Sequence, residues 1–152
     1  MFVKGKILCD TVTNYPSRQV STAVKAKGNN LKDFFVTEPP FAEKLQSRIG
    51  EREIELCPSR IETSYPKAGE TNAGDKMYIV NNDEYKQGVS VEVCGNSGEK
   101  CKLSESFPTG YQAICQQKYS LKRMVGIDRN GESIVDHFKV PSCCVCSVTV
   151  QI

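Results

Sequence analysis

Cysteine is the residue type with the clearest chemistry in this 152-residue sequence, because thiols form disulfides, bind metals or act as nucleophiles. The chain has eight of them: Cys9, Cys57, Cys94, Cys101, Cys115, Cys143, Cys144 and Cys146. Such a density in a short chain is typical of a disulfide framework made in an oxidising compartment. The cysteines therefore predict a secreted, disulfide-rich protein.

Cys144 and Cys146 lie two positions apart, just before an alternating apolar tail. Residues i and i+2 of a strand point to the same side, so these two sulfurs would lie side by side and need partners on a neighbouring segment. Cys94 and Cys101, which flank the short loop GNSGEK, suit that role. Two such bridges close a small ring, and a third bridge through it makes a cystine knot. Six cysteines permit fifteen pairings, so spacing alone does not choose among them.

Cys143 directly precedes Cys144, so on a strand its side chain would point to the opposite face and could not join the same ring. An outward-facing thiol in a secreted protein suggests a bond between two chains. We expect Cys143 to link a homodimer. The role of Cys9 stays open between a free thiol, a bond to its twin in the dimer and a bond peculiar to this chain.

Metal binding and catalysis are the other uses of clustered cysteines, and the sequence favours neither. Zinc sites usually combine CxxC pairs with histidines, but the one CxxC spacing here is Cys143 to Cys146 within the crowded run CCVC, and the chain has one histidine, His137. A nucleophilic cysteine needs a nearby base, and a lone histidine among alternating hydrophobic residues is a poor candidate. We predict no metal, no cofactor and no enzymatic activity.

Composition also bears on partners and location. The net charge of +2 gives no reason to expect nucleic acid, and the chain has no apolar run long enough for membrane insertion. The start MFVKGKILCD does not read as a secretory signal peptide, because Lys4 and Lys6 break its short apolar stretch. We expect an extracellular protein whose signal peptide is not present in this sequence.

After residue 56 the hydrophobic period is that of β-strands. Alternation or a short apolar run marks candidate strands at 76–80, 89–93, 119–127 and 133–140, and a last one that includes Cys144 and Val150. Asn130-Gly131 predicts a two-residue type I′ turn, because both residues accept positive φ. The fold class predicted is all-β, small and disulfide-rich.

Residues 1–48 read differently from the rest. They hold one cysteine, a Gly-Asn-Asn breaker and a Pro-Pro pair, so we expect an extended or partly disordered segment with at most a short helix at 41–47. Eight Lys/Arg against four Asp/Glu give this segment +4, whereas twelve against fourteen give residues 49–152 −2. We divide the chain into a prosegment, 1–48, and a knot domain, 49–152, with weak mutual attraction.

Five short motifs in the second part of the chain occur in a recognisable order: YP at 65–66, IVNNDEYKQ at 79–87, FP at 107–108, IC at 114–115 and VPSCCVC at 140–146. Together they resemble the Spätzle family of insect cytokines. The resemblance covers roughly residues 55–150. It implies a neurotrophin-like cystine-knot cytokine with twisted β-hairpins, preceded by a largely irregular prosegment.

The resemblance also implies a mode of action and a bonding pattern. Family members are disulfide-linked homodimers, secreted as precursors, activated by a trypsin-like serine protease and bound by the leucine-rich-repeat ectodomain of a Toll-type receptor. The family pairing carries over as Cys57–Cys115, Cys94–Cys144 and Cys101–Cys146, with Cys143 between chains.

The stretch LQSRIGER predicts the activation site. Trypsin-like enzymes need a basic residue before the cut bond, and Arg48 followed by Ile49 lies at the end of the prosegment, ahead of Cys57. Arg52 and Arg60 are weaker candidates. We expect Phe34, Phe35 and Phe41 to pack on the knot dimer and mask apolar receptor-binding surface until cleavage.

Two other functions fit the same framework. A cystine-knot protease inhibitor would present the Arg48 region as bait and inhibit without being cut. A neurotrophin-like growth factor would use the same fold on another receptor.

Overall fold

The computed structural model describes residues 6–39 and 54–151. The chain forms two compact units, each built from several stretches of sequence. The first unit contains the described residues of Met1–Pro39, Thr63–Ser90 and Ser120–Val140. The second contains those of Pro40–Glu62, Val91–Tyr119 and Pro141–Ile152.

Strands dominate both units, which confirms the predicted all-β class. They are β1 (Leu8–Cys9), β2 (Ser59–Ser64), β3 (Ala68–Glu70), β4 (Lys76–Ile79), β5 (Val89–Cys94), β6 (Tyr111–Ile127) and β7 (Ser133–Val150). Five of them form one sheet in the order β1-β3-β4-β6-β7, and β2 pairs with β5 in a second sheet. The helices are α1 (Ser17–Ala26) and two 3₁₀-helices, Gly28–Phe34 and Ser104–Ser106.

The long hairpin of β6 and β7 turns at Asp128–Glu132, and its turn differs from the predicted type I′. Gly131 has φ +78°, but Asn130 is not among the residues with positive φ. Gly131 N donates to Asp128 O at 3.1 Å, and Asp128 N donates to Glu132 O at 2.9 Å. This is a three-residue loop with the glycine in the left-handed position. The Asp128 carboxylate selects it by accepting bonds from the Asn130 and Glu132 amides, both at 2.9 Å.

Strand β7 is continuous where the sequence predicted two strands. It runs through Pro141, which has no N–H to donate. A proline is tolerated in a strand at the edge of a sheet, where its nitrogen can face away from the ladder. Because β7 is an edge strand of the five-stranded sheet, the proline does not interrupt it.

Helix α1 corrects the expectation of an extended or partly disordered start. Its apolar face consists of Val20 and Val24, one turn apart and 0% and 2% exposed. No side chain caps its N-terminus, so intrinsic signals for a helix are weak here. Packing of the two valines in the first unit therefore stabilises it. Among the described residues, no helix has the length and apolar character needed to cross a membrane.

The motif at 79–87 owes its composition to a buried polar network in the first unit. Asn81 and Gln87 are each 2% exposed. The Asn81 amide nitrogen donates to the carbonyls of Pro66 (2.7 Å) and Gln87 (3.0 Å), and its oxygen accepts from Gln87 N at 2.7 Å. The Gln87 side chain bonds in turn to the backbone of Val80 and Val125. Both amide side chains are thus satisfied, which is what permits their burial.

Asn81→Ala should lower the free energy of unfolding by about 3 kcal/mol, because it leaves the buried Pro66 carbonyl and the Gln87 backbone groups without these partners. Equilibrium unfolding in urea measures the change. Asn72→Ala is the matched control, because Asn72 is exposed and its hydrogen bond to His137 O is donated by the backbone N–H, which alanine retains. Equal destabilisation by the two variants would contradict the role of the network.

Candidate functional site

Three disulfides tie the second unit together. They join Cys57 to Cys115, Cys94 to Cys144 and Cys101 to Cys146. These are the pairs that the family resemblance implies. Two of the bridges link residues 94–101 to residues 144–146 and so close a ring of eight plus three residues.

The segment that carries Cys57 lies between the two ends of the 94–101 arm, where the two bridges close the ring. On one side, Lys102 N donates to Leu56 O at 2.8 Å, and on the other, Gly95 N donates to Pro58 O at 2.8 Å. The Cys57 sulfur is 3.6 Å from the Cys101 sulfur, which is a member of the ring. The Cys57–Cys115 bridge therefore passes through the ring formed by the other two, as in a cystine knot.

The loop from Cys94 to Cys101 is held against the beginning of β6. Gly98 N donates to Cys115 O, and Cys115 N donates to Glu99 O, both at 2.8 Å. Gly98 has φ +87°, a conformation in which a residue with a side chain would be strained. The Gly-Glu pair in GNSGEK thus fixes one arm of the ring on the strand that carries Cys115.

Gln117 is a site residue that the sequence analysis did not single out. Its side-chain oxygen accepts from Cys94 N at 2.7 Å, and its nitrogen donates to Glu92 O at 2.8 Å and Cys143 O at 3.0 Å. One half-buried amide thereby connects β5, β6 and β7 next to the knot. Its place on β6, two residues after Cys115, is the only sequence signal for this role.

The sulfurs of Cys57, Cys101 and Cys115 lie within 4.8 Å of one another, the spacing of a metal cluster. All three are in disulfides, however, so none offers the thiolate that a metal requires. The proximity reflects the crossing of two bridges in the knot.

The remaining predicted site residues fall into two groups. Cys9 is a buried thiol in β1, beside Ala68 of β3, whereas Cys143 is a half-buried thiol on β7. The predicted cleavage site at Arg48 and Ile49 lies outside the described residues, as does Phe41. Cleavage between Arg48 and Ile49 and the interchain bond of Cys143 stay predictions.

The N-terminal segment, taken as the described residues 6–39, packs on apolar side chains of the first unit. Its buried residues cluster with two from the strand region, so that Val20, Val24, Leu31, Val80 and Val125 form one core. Phe34 and Phe35, predicted to cover apolar surface, pack against this core. The Phe35 ring lies 5.0 Å from that of Tyr85, and Arg123 stacks on Phe34 at 5.6 Å.

Tyr15 anchors the same segment by a polar contact. Its hydroxyl donates to Ile79 O at 2.5 Å and accepts from Asn81 N at 2.9 Å, at the end of β4. Burial raises the pKa of Tyr15 to about 12, and the Asn81 backbone bond opposes that shift in part. Tyr15 therefore stays neutral and able to donate over the physiological range of pH.

Spectrophotometric titration should show a tyrosine that ionises near pH 12 in the folded protein and is lost in Tyr15→Phe. Because the folded pKa is raised, its contribution to stability is fully present below the usual value of 10.0 and is lost as the pH rises through about 12. Tyr78→Phe, which alters a neighbouring ring 5.9 Å away, is the control. Loss of the late titration in Tyr78→Phe instead would contradict the assignment.

Comparison with known proteins places these features in a family. A family model described as Spaetzle, the Spätzle family, matches residues 54–148. Protein spaetzle from Drosophila melanogaster is 35% identical over 143 residues, which are 92% of this chain and 43% of the relative. Neurotrophin 1 from the same organism is 27% identical over 93% of this chain and 17% of its own length. The chain thus spans less than half the length of these relatives.

A crystal structure of the Spätzle cystine knot is 32% identical, with a TM-score of 0.44, and covers 66% of this chain and 99% of that one. The family match includes all six knot cysteines and the motif at 79–87. With the family model covering more than half of its length, the chain belongs to the Spätzle family of cystine-knot cytokines.

Proposed function

We propose that this chain is a secreted cytokine precursor that activates a Toll-type receptor after proteolysis. In this proposal a trypsin-like serine protease cuts between Arg48 and Ile49, residues 1–48 cease to cover the knot domain, and the domain binds the receptor's leucine-rich-repeat ectodomain. The knot domain acts as a homodimer linked through Cys143. Shape and surface chemistry, with no catalysis, carry the signal.

The observation that carries the proposal is the packing of the N-terminal segment on the cytokine strands. Val20 and Val24 of α1 share a core with Val80 and Val125, so their departure would expose apolar side chains to solvent. Newly exposed apolar surface is what a partner can bury with a gain in affinity. A cut that leaves the knot intact while freeing this surface would convert an inactive precursor into a ligand.

The placing of Arg48 supports the order of events. It follows the last described residue of the N-terminal segment, Pro39, and precedes Cys57, where the knot begins. A cut there separates no disulfide-bonded pair, since the six knot cysteines all lie after it. The knot would therefore survive activation unchanged.

Cys143 suits a bond between copies because its neighbours are used within the chain. Cys144 is bonded to Cys94, whereas Cys143 is a thiol on the adjacent position of the same strand. Adjacent strand residues point to opposite faces, so the Cys143 sulfur faces away from the knot ring. A second copy presenting the same thiol would complete a symmetric disulfide.

Intact mass under non-reducing conditions, before and after brief trypsin-like proteolysis, tests the proposal. We expect a dimer that loses two copies of residues 1–48 on denaturation after the cut and separates only on reduction. The cut protein should bind a Toll-type ectodomain, and the uncut protein should not. Cys143→Ser should yield a monomer of unchanged fold, with Cys9→Ser as the matched control that stays dimeric.

The other outcomes count against specific parts of the proposal. A wild-type monomer would remove the Cys143 link, and a dimer broken by Cys9→Ser would transfer it to Cys9. Tight inhibition of the protease without cleavage would replace the cytokine with an inhibitor. Binding of the cut dimer to a different receptor class would leave a neurotrophin-like growth factor.

A further inference from the structure

Residues Val36–Glu38 lie in extended form along Gly88, just before β5. Thr37 and Gly88 form a parallel bridge. Gly88 N donates to Val36 O at 3.0 Å, and Glu38 N donates to Gly88 O at 2.9 Å. The N-terminal segment thus pairs with the backbone edge at Gly88 through one parallel bridge, in the manner by which extended peptides bind to sheet edges.

Gly88 is needed for this approach and not for its own backbone conformation. Its φ lies outside the left-handed region that favours glycine. A Cβ at this position would come within 2.8 Å of the Thr37 side chain and 2.9 Å of the Tyr65 ring. The missing side chain therefore makes room for an incoming strand.

Residues 36–38 are also held at this edge by charge. The Glu38 carboxylate forms an ion pair with Lys122 on β6, and its other oxygen accepts from Ser90 N at 3.1 Å. Both side chains of the pair are partly buried, at 28% and 41% exposure. This contact is acidic on the side of the N-terminal segment, although residues 1–48 are basic overall, with eight Lys/Arg against four Asp/Glu. The edge therefore selects an acidic residue against the charge of the segment as a whole.

We infer that this edge, defined as the Gly88 backbone with the Lys122 side chain, is a docking site for an extended acidic segment of the receptor. The inference rests on the proposed function, in which residues 1–48 leave the cytokine. Their departure would free the Gly88 N–H and C=O and the Lys122 ammonium group together. Sheet edges with free backbone groups readily pair with another chain. In the precursor, residues 36–38 occupy this edge and so keep the receptor segment away from it. They therefore resemble that segment in backbone form and in charge.

The partner's chemistry follows from the occupant. It is an extended stretch whose central residue is small or β-branched, as Thr37 is, because Gly88 and Tyr65 leave little room there. The next residue carries a carboxylate that reaches Lys122, as Glu38 does. Backbone bonds provide affinity in such a contact, and the carboxylate sets register and specificity.

Binding of the protease-cut full chain to the Toll-type ectodomain tests this inference. Lys122→Glu should weaken that binding by about tenfold or more, because it places a carboxylate against the incoming one. Lys118→Glu is the matched control, with the same charge change on an exposed residue of the same strand, and it should change affinity less than about twofold. A synthetic peptide of residues 33–39, DFFVTEP, should compete with the ectodomain, and the same peptide with Glu38→Lys should not.

The outcomes separate this inference from the proposed function. If the cut wild type does not bind the ectodomain, the proposed function fails and the inference fails with it. If the wild type binds and Lys122→Glu binds equally well, or if Lys118→Glu is equally impaired, the docking edge alone is overturned. Altered self-association of Lys122→Glu with unchanged receptor binding would assign the edge to a second copy and likewise overturn it. Should Lys122→Glu fail to fold, the peptide experiment decides. The inference is overturned if the peptide neither shifts the NMR resonance of the Gly88 amide nor displaces the ectodomain from the cut protein.

Discussion

The paired substitution Cys57→Ala, Cys115→Ala should lower the free energy of unfolding by about 4 kcal/mol. The lost bridge spans a sequence separation of 58 residues, so its removal restores much conformational freedom to the unfolded chain. The two cysteines are 9% and 0% exposed and pack with Ala113 in the core of the second unit, so lost contacts add to that effect. Against a typical domain stability of about 5–15 kcal/mol, the loss is a large share.

Equilibrium unfolding in guanidinium chloride under non-reducing conditions measures this change. Cys9→Ala is the control: it also removes a buried thiol, 4% exposed, but outside the disulfides, and should cost about 1 kcal/mol. A paired variant no less stable than Cys9→Ala would show that the bridge through the ring adds little. A loss confined to the second unit, with the Tyr15 titration unchanged, would show that the two units unfold separately.

The strands were predictable from sequence because their apolar residues alternate. Val89, Val91 and the turn at Gly131 gave the positions of β5 and of the β6–β7 hairpin. The predicted turn type was wrong, because a single side chain determines the turn. Asp128 selected a three-residue turn over type I′ by binding two backbone amides, and a dipeptide rule does not weigh such a carboxylate.

Helix α1 was not predicted from the sequence, because its sequence signals for a helix are weak and tertiary packing stabilises it. Only Val20 and Val24 of its ten residues are buried, and it has no side-chain cap. Two of the buried residues in the same core, Val80 and Val125, lie more than fifty positions away in the chain. Periodicity within a short window cannot register such a partner, which is why residues 17–26 read as irregular.

For the knot, sequence reasoning predicted which cysteines act together but not the complete pairing. Side-chain direction on a strand predicted that Cys144 and Cys146 act together and that Cys143 does not, and the structure bonds the first two to Cys94 and Cys101. The choice among fifteen pairings came from the family resemblance, since sequence spacing made Cys94 and Cys101 suitable partners but alone does not choose one pairing. Asn81 and Gln87 likewise entered as members of a family motif. Only the fold shows that the Asn81 side chain bonds to the Gln87 backbone and that the Gln87 side chain bonds to the Val80 and Val125 backbone.

Arg48→Gln should slow cleavage by a trypsin-like protease by at least about a thousandfold and keep the protein from binding its receptor. The specificity pocket of such an enzyme carries a buried acid, and a neutral amide would leave that charge unpaired. The substitution should change stability little, because the proposed role of Arg48 is to be recognised by the protease. The cleavage rate is followed by mass spectrometry, and receptor binding is measured on the same samples.

Arg52→Gln and Arg60→Gln are the matched controls for that experiment. Arg60 lies in β2, which pairs with β5, so its backbone is held in a strand that a protease must first open. Neither control should slow release of the cytokine. If Arg52→Gln blocks activation while Arg48→Gln does not, the boundary of the prosegment moves to residue 52. If neither blocks it and the uncut chain binds the receptor, the packing of Val20 and Val24 on the cytokine strands does not act as a mask.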